Sequence, residues 1–363
     1  MPYRLSIAVQ TPAHSNVGGL LSYASEQALP AGTLVRVPLG TRELLGVVWD
    51  SDDAPADDTL VLRPVTGVLE GIAPLGAAWR RLVAFTAHYY QRALGEVALA
   101  ALPPQLRELN AVQLARRLQR LTASMQPSPD TAGLALHAEQ AEALARINNG
   151  PGPFLLFGAT GSGKTEVYLQ AVQRLLQADP QAQALIMVPE INLTPQLEAR
   201  FGERFGAQAV VSLHSGMTNP QRLKSWLAAH AGAARIVLGT RMAVFASLPR
   251  LRLIVVDEEH DPSYKQQEGA RYSARDLAVW RGHAEQATVV LGSATPSLES
   301  WHQSRPPATD GPDDPGGRYQ RLYMPSRVGA GALPRLRLVD MHQQPRRAVF
   351  SAPLLAALQE RVA

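Results

Sequence analysis

The chain has 363 residues, 46% hydrophobic and 18% charged, which gives room for two or three packed domains and excludes a disordered composition. It contains no cysteine, which excludes disulfides, thiolate metal sites and a cysteine nucleophile, and its net charge of +4 is compatible with a nucleic-acid partner without requiring one. No uninterrupted apolar run reaches membrane-spanning length, and the alternating start MPYRLSIAVQ lacks the apolar core of a signal peptide, so a cytoplasmic protein is expected.

Residues 1–105 form a first block. Its start alternates like a strand, Leu34 to Pro38 and Glu43 to Trp49 read as strands joined at Gly40, and Leu75 to Tyr90 has helical spacing. Pro103 and Pro104 close what is expected to be a small β-rich domain with a helical tail. Residues 106–134 begin with an Arg-rich amphipathic helix, Leu106 to Met125. The breaker string Gln126 to Gly133 follows, giving a helix and linker.

Residues 135–325 open with alternating apolar runs and helical patterns. The runs at 154–157, 184–188, 209–213, 235–239, 253–257 and 288–292 look like strands buried on both faces, the pattern of an open parallel α/β sheet. A Pro/Gly/Asp-rich loop is expected at 302–318. In residues 326–363 a strand restarts at 336–340, and Ser351 caps a helix running towards the terminus, as if a second α/β unit were beginning.

The strongest chemical signal is GATGSGKT, the run Gly158, Ala159, Thr160, Gly161, Ser162, Gly163, Lys164 and Thr165, placed between a strand and a helix. Glycines let backbone N–H groups turn inward around phosphate oxygens, and the helix N-terminus adds its positive end. Lys164 is expected on the β- and γ-phosphates of ATP and Thr165 on Mg²⁺. LIVVDEEH then delivers acidic residues to a strand end. Asp257 suits a Mg²⁺ ligand, and Glu258 suits the base that deprotonates an attacking water. LGSATPS places Ser293 and Thr295 where they can bond that acidic cluster.

GKT, DEEH and SAT in this order resemble superfamily 2 helicases and translocases. MVPEINLTPQ at 187–196, LHSGMT at 213–218, GTRMAVFA at 239–246 and DEEHDPSYKQQEGARYSARDLAVWR at 257–281 resemble the PriA family of replication-restart helicases. The resemblance covers essentially the whole chain. It implies a P-loop (RecA-like) parallel-sheet lobe preceded by a small β-rich DNA-binding domain. It also implies a 3′ to 5′ ATP-dependent DNA helicase that recognises forked and single-stranded DNA, with primosome and single-strand-binding proteins as partners. By the same resemblance, Gln140 reads adenine, His260 couples ATP to DNA, and Tyr264, Lys265, Arg271 and Tyr272 lie on an aromatic-rich DNA sensor loop. There the Tyr rings would stack on bases and the cations contact phosphates. Thr240 and Arg241 end a strand where such lobes touch DNA; Arg241 equally suits a structural ion pair.

Four departures qualify this. Ala270 stands where a Trp is expected, Leu21-Ser22-Tyr23 replaces a Phe-Asp-Tyr-like stretch, and no room exists between Pro104 and Leu136 for a winged-helix domain. The family's zinc-binding cysteines are absent, so zinc is expected only in a part beyond this chain. A second lobe that begins but does not continue implies poor ATP hydrolysis by these residues alone, which leaves a DNA-docking fragment and another superfamily 2 translocase as alternative readings.

Overall fold

Period-two alternation builds the first sheet. Strand β1 (Tyr3–Val9) turns Leu5, Ile7 and Val9 into one core and Ala8 into another. With β2 (Leu20–Ser25), β3 (Leu34–Leu39), β4 (Arg42–Pro55) and β5 (Gly67–Val68) it forms an antiparallel sheet in the order β2-β1-β4-β3-β5. This is a computed structural model, and it describes residues 2–11, 20–55, 61–109, 111–122, 135–150, 152–189, 195–307, 316–328, 337–345 and 349–362. They fall into two compact units, 1–327 and 328–363.

Helices α1 (Ala77–Tyr89) and α2 (Leu94–Ala100) close the second face of this sheet. Position 95 must be glycine, because a Cβ there would stand 1.7 Å from the Val9 carbonyl oxygen. The single helix expected from Leu106 to Met125 is instead a short turn at Pro104–Arg107 followed by α3 (Ala111–Thr122). The reason is Arg36, whose guanidinium donates to the carbonyls of Arg107 and Leu109, occupying acceptors a continuous helix would use. The end of the expected helix, 123–125, and the breaker string expected at 126–133 lie outside the described residues.

The second sheet grows from α4 (Ala138–Asn149), β6 (Phe154–Gly158), α5 (Lys164–Ala178), β7 (Gln183–Met187), α6 (Pro195–Phe205), β8 (Val210–Leu213), α7 (Asn219–His230) and β9 (Ile236–Gly239). It continues with β10 (Leu251–Asp257), α8 (Ala274–Glu285), β11 (Thr288–Ser293), α9 (Leu298–Gln303) and β12 (Gln320–Met324). The strand order is β12-β6-β11-β10-β7-β9-β8, with every neighbouring pair parallel. All six apolar runs are strands here. The seventh, β12, escapes the sequence because it is an edge strand whose Gln320, Arg321 and Tyr323 interrupt the apolar pattern.

This order sets β11 between β6 and β10, so the carboxyl ends of those three strands stand side by side. Ser293 pairs in register with Phe157, and Asp257 with Gly292. Open α/β sheets bind ligands at such strand ends.

The two sheets share a core through α1. Trp79 Nε1 donates to the Phe245 carbonyl at 2.8 Å in a fully buried setting. His230 bridges the Ala73 carbonyl and Ser247 Oγ, both at 2.9 Å, and burial holds its pKa below the ordinary value. Arg281, 1% exposed, donates to the Val244 carbonyl and pairs with Glu285 at 2.7 Å.

The unit 328–363 contains a short turn at Met341–Gln343 and helix α10 (Ala352–Val362). Ser351 Oγ accepts from the Leu354 N–H at 3.3 Å, the expected cap. The strand expected at 336–340 is not there. Position 336 lies outside the described residues, and 337–340 are irregular with Leu338 99% exposed. A strand needs a neighbour to hydrogen-bond, and none exists among the described residues of this unit. Among the described residues no helix is long and apolar enough to cross a membrane. The chain is α/β: a parallel P-loop sheet preceded by a small antiparallel β domain.

Candidate nucleotide and DNA site

The loop between β6 and α5 is bent by glycines. Gly161 and Gly163 have φ of 83° and 80°, a region closed to most side chains. A Cβ on Gly158 would stand 2.7 Å from Ser162 Oγ. Lys164 Nζ is buried, donates to the Gly158 carbonyl at 2.9 Å, and stands 3.9 Å from Glu258 Oε1. Ser162 Oγ is buried and has no hydrogen-bond partner among the described residues. A buried hydroxyl, a buried ammonium and positive-φ glycines at a helix start fit an oxyanion ligand such as a nucleotide's phosphates.

Gln140 lies buried at the start of α4. Its Oε1 accepts from the His137 N–H at 2.9 Å and its Nε2 donates to the Ser162 carbonyl at 3.1 Å. The residue expected at the adenine thus braces the phosphate loop.

At the end of β10, Asp257 Oδ1 accepts from Tyr168 Oη at 2.9 Å. Burial, then the neighbouring charge of Glu258, push the Asp257 carboxyl above the usual carboxylate range; the Tyr168 hydrogen bond and Lys164 pull the other way. Two crowded carboxylates fit a site built to receive a cation, and Thr165 lies in the first turn of the adjoining helix. Glu258 holds a left-handed φ of 46°, which no glycine relieves. Its Oε2 stands 3.7 Å from His260 Nδ1.

His260 Nδ1 bonds Ser293 Oγ at 2.8 Å, and Nε2 lies 3.3 Å from Thr295 Oγ1. The SAT hydroxyls therefore meet the acidic cluster through His260. Sequence reasoning missed Glu259, which is 1% exposed and accepts from the Ser297 N–H, Ser297 Oγ, Ser300 Oγ and Arg275. It ties the acidic strand end to the first turn of α9. The signal was the pair of serines three apart after SAT. Tyr168, four residues past Lys164 on α5, was missed as well.

The expected DNA residues divide. Tyr264 is 2% exposed, with its hydroxyl on the Asp257 carbonyl at 2.7 Å, so its ring offers no stacking face. Tyr272 is partly buried, its ring edge-on to Phe245 at 5.0 Å, and burial raises its pKa. Thr240 is buried. Arg241 holds the loop from inside, donating to Gln266 Oε1 at 2.7 Å and to the Ser263 carbonyl. Its partners are neutral, so it is a brace rather than the ion pair considered. Lys265 and Arg271 are exposed. Among the described residues no group of three or more His, Asp or Glu is placed to hold a metal ion unaided.

The DEAD/DEAH box helicase family matches residues 137–303, and the PriA 3′DNA-binding domain family matches residues 6–103. The replication restart protein PriA of Haemophilus influenzae is 31% identical over 98% of this chain and 56% of its own length. PriA of Treponema pallidum is 35% identical over 86% of the chain and 45% of that protein, and PriA of Synechocystis is 46% identical over 57% and 24%. Among solved structures, RecG bound to a three-way DNA junction is similar at 21% identity, covering 61% of this chain and 28% of that one, with a TM-score of 0.36. The chain spans at most about half the length of the curated relatives named here. With a DEAD/DEAH box helicase domain and a PriA-type DNA-binding domain in one polypeptide, the chain belongs to the PriA replication-restart family.

Proposed function

We propose that this protein is an ATP-dependent 3′ to 5′ DNA helicase that engages stalled or branched forks and initiates primosome assembly in the cytoplasm. The observation that supports it most is the unbroken line from Lys164 to Glu258 to His260 to Ser293 and Thr295. It joins a phosphate loop to the elements that follow it. The functional division is 1–105 for DNA-end binding, 106–134 as helix and linker, 135–325 as the ATP-binding lobe and 326–363 as the start of the next lobe.

The backbone of Gly158, Ala159, Thr160, Gly161, Ser162 and Gly163 cradles the phosphates of ATP, and Lys164 neutralises charge on the group being transferred. Gln140 braces that cradle, and we assign the adenine contact to it as well. Thr165 and Asp257 would hold Mg²⁺, which when bound neutralises phosphate oxygens. Glu258 takes the proton of the attacking water, and its proximity to His260 passes its charge state to Ser293 and Thr295. Lys265 and Arg271 meet DNA phosphates, with Thr240, Arg241, Tyr264 and Tyr272 shaping the loop that carries them. The partners are forked and single-stranded DNA, with primosome and single-strand-binding proteins by likeness to PriA.

Glu258→Gln tests the assignment. The amide keeps the shape and loses the base, so ATP binding should persist while turnover falls by about a hundredfold or more. Loss of nucleotide binding instead would reverse the roles given to Asp257 and Glu258.

A further inference from the structure

The backbone turn after α1 is fastened to the loop that joins β10 to α8. Arg92 Nη2 donates to the Gly269 carbonyl at 2.5 Å, and Tyr90 Oη accepts from the Ser273 N–H at 3.0 Å. Lys265 Nζ lies 5.4 Å from the centre of the Tyr90 ring. Between Tyr90 and Arg92, Gln91 holds a left-handed φ of 54°, and on the loop side Arg271 holds 42°. Such values are unfavourable for side-chain-bearing residues and persist where surrounding contacts impose them. Glu96 on α2 pairs with Arg92 at 3.8 Å; the pair is half-exposed, so its value is orientation rather than energy.

Each end of this fastening leads somewhere. On one side, α2 sits against β1 through the close approach of Gly95 to Val9. On the other, the loop begins at Tyr264, bonded to the Asp257 carbonyl, and is gripped from within by Arg241 at Gln266. Phe85 of α1 stacks on Trp280 of α8 with ring centres 4.4 Å apart, a further contact between the two helices. The first sheet and the backbone of the acidic strand end are thus joined by a continuous run of contacts, two hydrogen bonds and one ring stacking among them.

We propose that Tyr90 and Arg92 are positioning residues that hold the loop 265–273 in the form that answers DNA, making DNA-stimulated ATP turnover depend on the first domain. This rests on the reading of that loop as a DNA contact and of the protein as a DNA-dependent ATPase. Tyr90 and Arg92 bond the loop backbone at Ser273 and Gly269 rather than the nucleotide loop or the Asp257 and Glu258 side chains, so the groups of the basal reaction keep their own contacts.

The test compares wild type, Tyr90→Phe, Arg92→Ala, Arg92→Lys and the double variant Tyr90→Phe/Arg92→Ala in the full-length gene product. ATP turnover is measured with and without a linear single-stranded oligonucleotide. Removing two side-chain-to-backbone hydrogen bonds, one from a charged donor, should cut DNA stimulation about tenfold in the double variant, with basal turnover and the KM for ATP unchanged. Arg92→Lys retains a cationic N–H donor group without the guanidinium fork and should recover part of the stimulation. Stimulation in the double variant within about twofold of wild type would overturn the proposal. So would an equal loss of basal and stimulated turnover, which is what general damage to the lobe produces. A wild-type protein with no DNA stimulation would refute the motor reading itself, and this proposal with it.

Discussion

Asp257 shows what the site costs the fold. Its pKa is raised by burial and by Glu258, so the folded protein holds the charged form less readily than the unfolded chain does. The sign follows: this group favours folding below the ordinary carboxylate range, and that favour is lost as pH rises through the raised folded value. At neutral pH the ionised carboxylate therefore destabilises the metal-free protein. Asp257→Asn, which keeps an acceptor for Tyr168, should raise the Tm at pH 7, and the gain should shrink as pH falls below the ordinary Asp range. Thermal unfolding without Mg²⁺ or nucleotide checks this; an Asn variant with a lower Tm at pH 7 would mean the carboxylate is already compensated. Gln140 and Tyr264 carry the opposite lesson. The family resemblance implied contact with adenine and DNA, and in the structure both side chains also hold hydrogen bonds within the protein, Tyr264 with its ring buried. Whether an aromatic ring faces solvent depends on what packs over it, which local sequence does not record.

At the scale of elements, strands flanked by turn signals were legible because parallel strands buried on both faces are continuous apolar runs. The phosphate loop was legible for a related reason: its glycines are needed for backbone geometry, so the chemistry is written in consecutive residues. The edge strand β12 and the break before α3 were not. One lacks a continuous apolar run, and the other is set by Arg36, some seventy positions away in sequence. Trp79 is a similar long-range device, with its indole N–H bonded to the Phe245 carbonyl across the junction of the two sheets. Trp79→Phe keeps most of the ring and orphans that carbonyl. It should lower stability by about 1–3 kcal/mol, read as a shift in the urea midpoint at unchanged slope. An unchanged midpoint would show that the junction does not depend on this bond.

For the whole molecule, the distribution of chemistry points to DNA gripped by its backbone. The candidate contacts Lys265 and Arg271 are exposed cations on a loop, and none of the described helices stands out as a reader of base edges. Affinity for a forked DNA should therefore fall steeply with salt and differ little between a fork and its sequence-shuffled version. Titration of both across salt concentrations checks this, and a strong preference between them would point to base readout instead.

The central claim is that the loop holding Lys164 drives a DNA-dependent ATPase. The most direct measurement is ATP turnover by the full-length gene product, with and without single-stranded DNA, for wild type and Lys164→Ala, with DNA binding followed in parallel. Turnover that rises with DNA in the wild type and vanishes in Lys164→Ala, while DNA binding persists, is the expected result. Near-normal turnover in Lys164→Ala would contradict the nucleotide site.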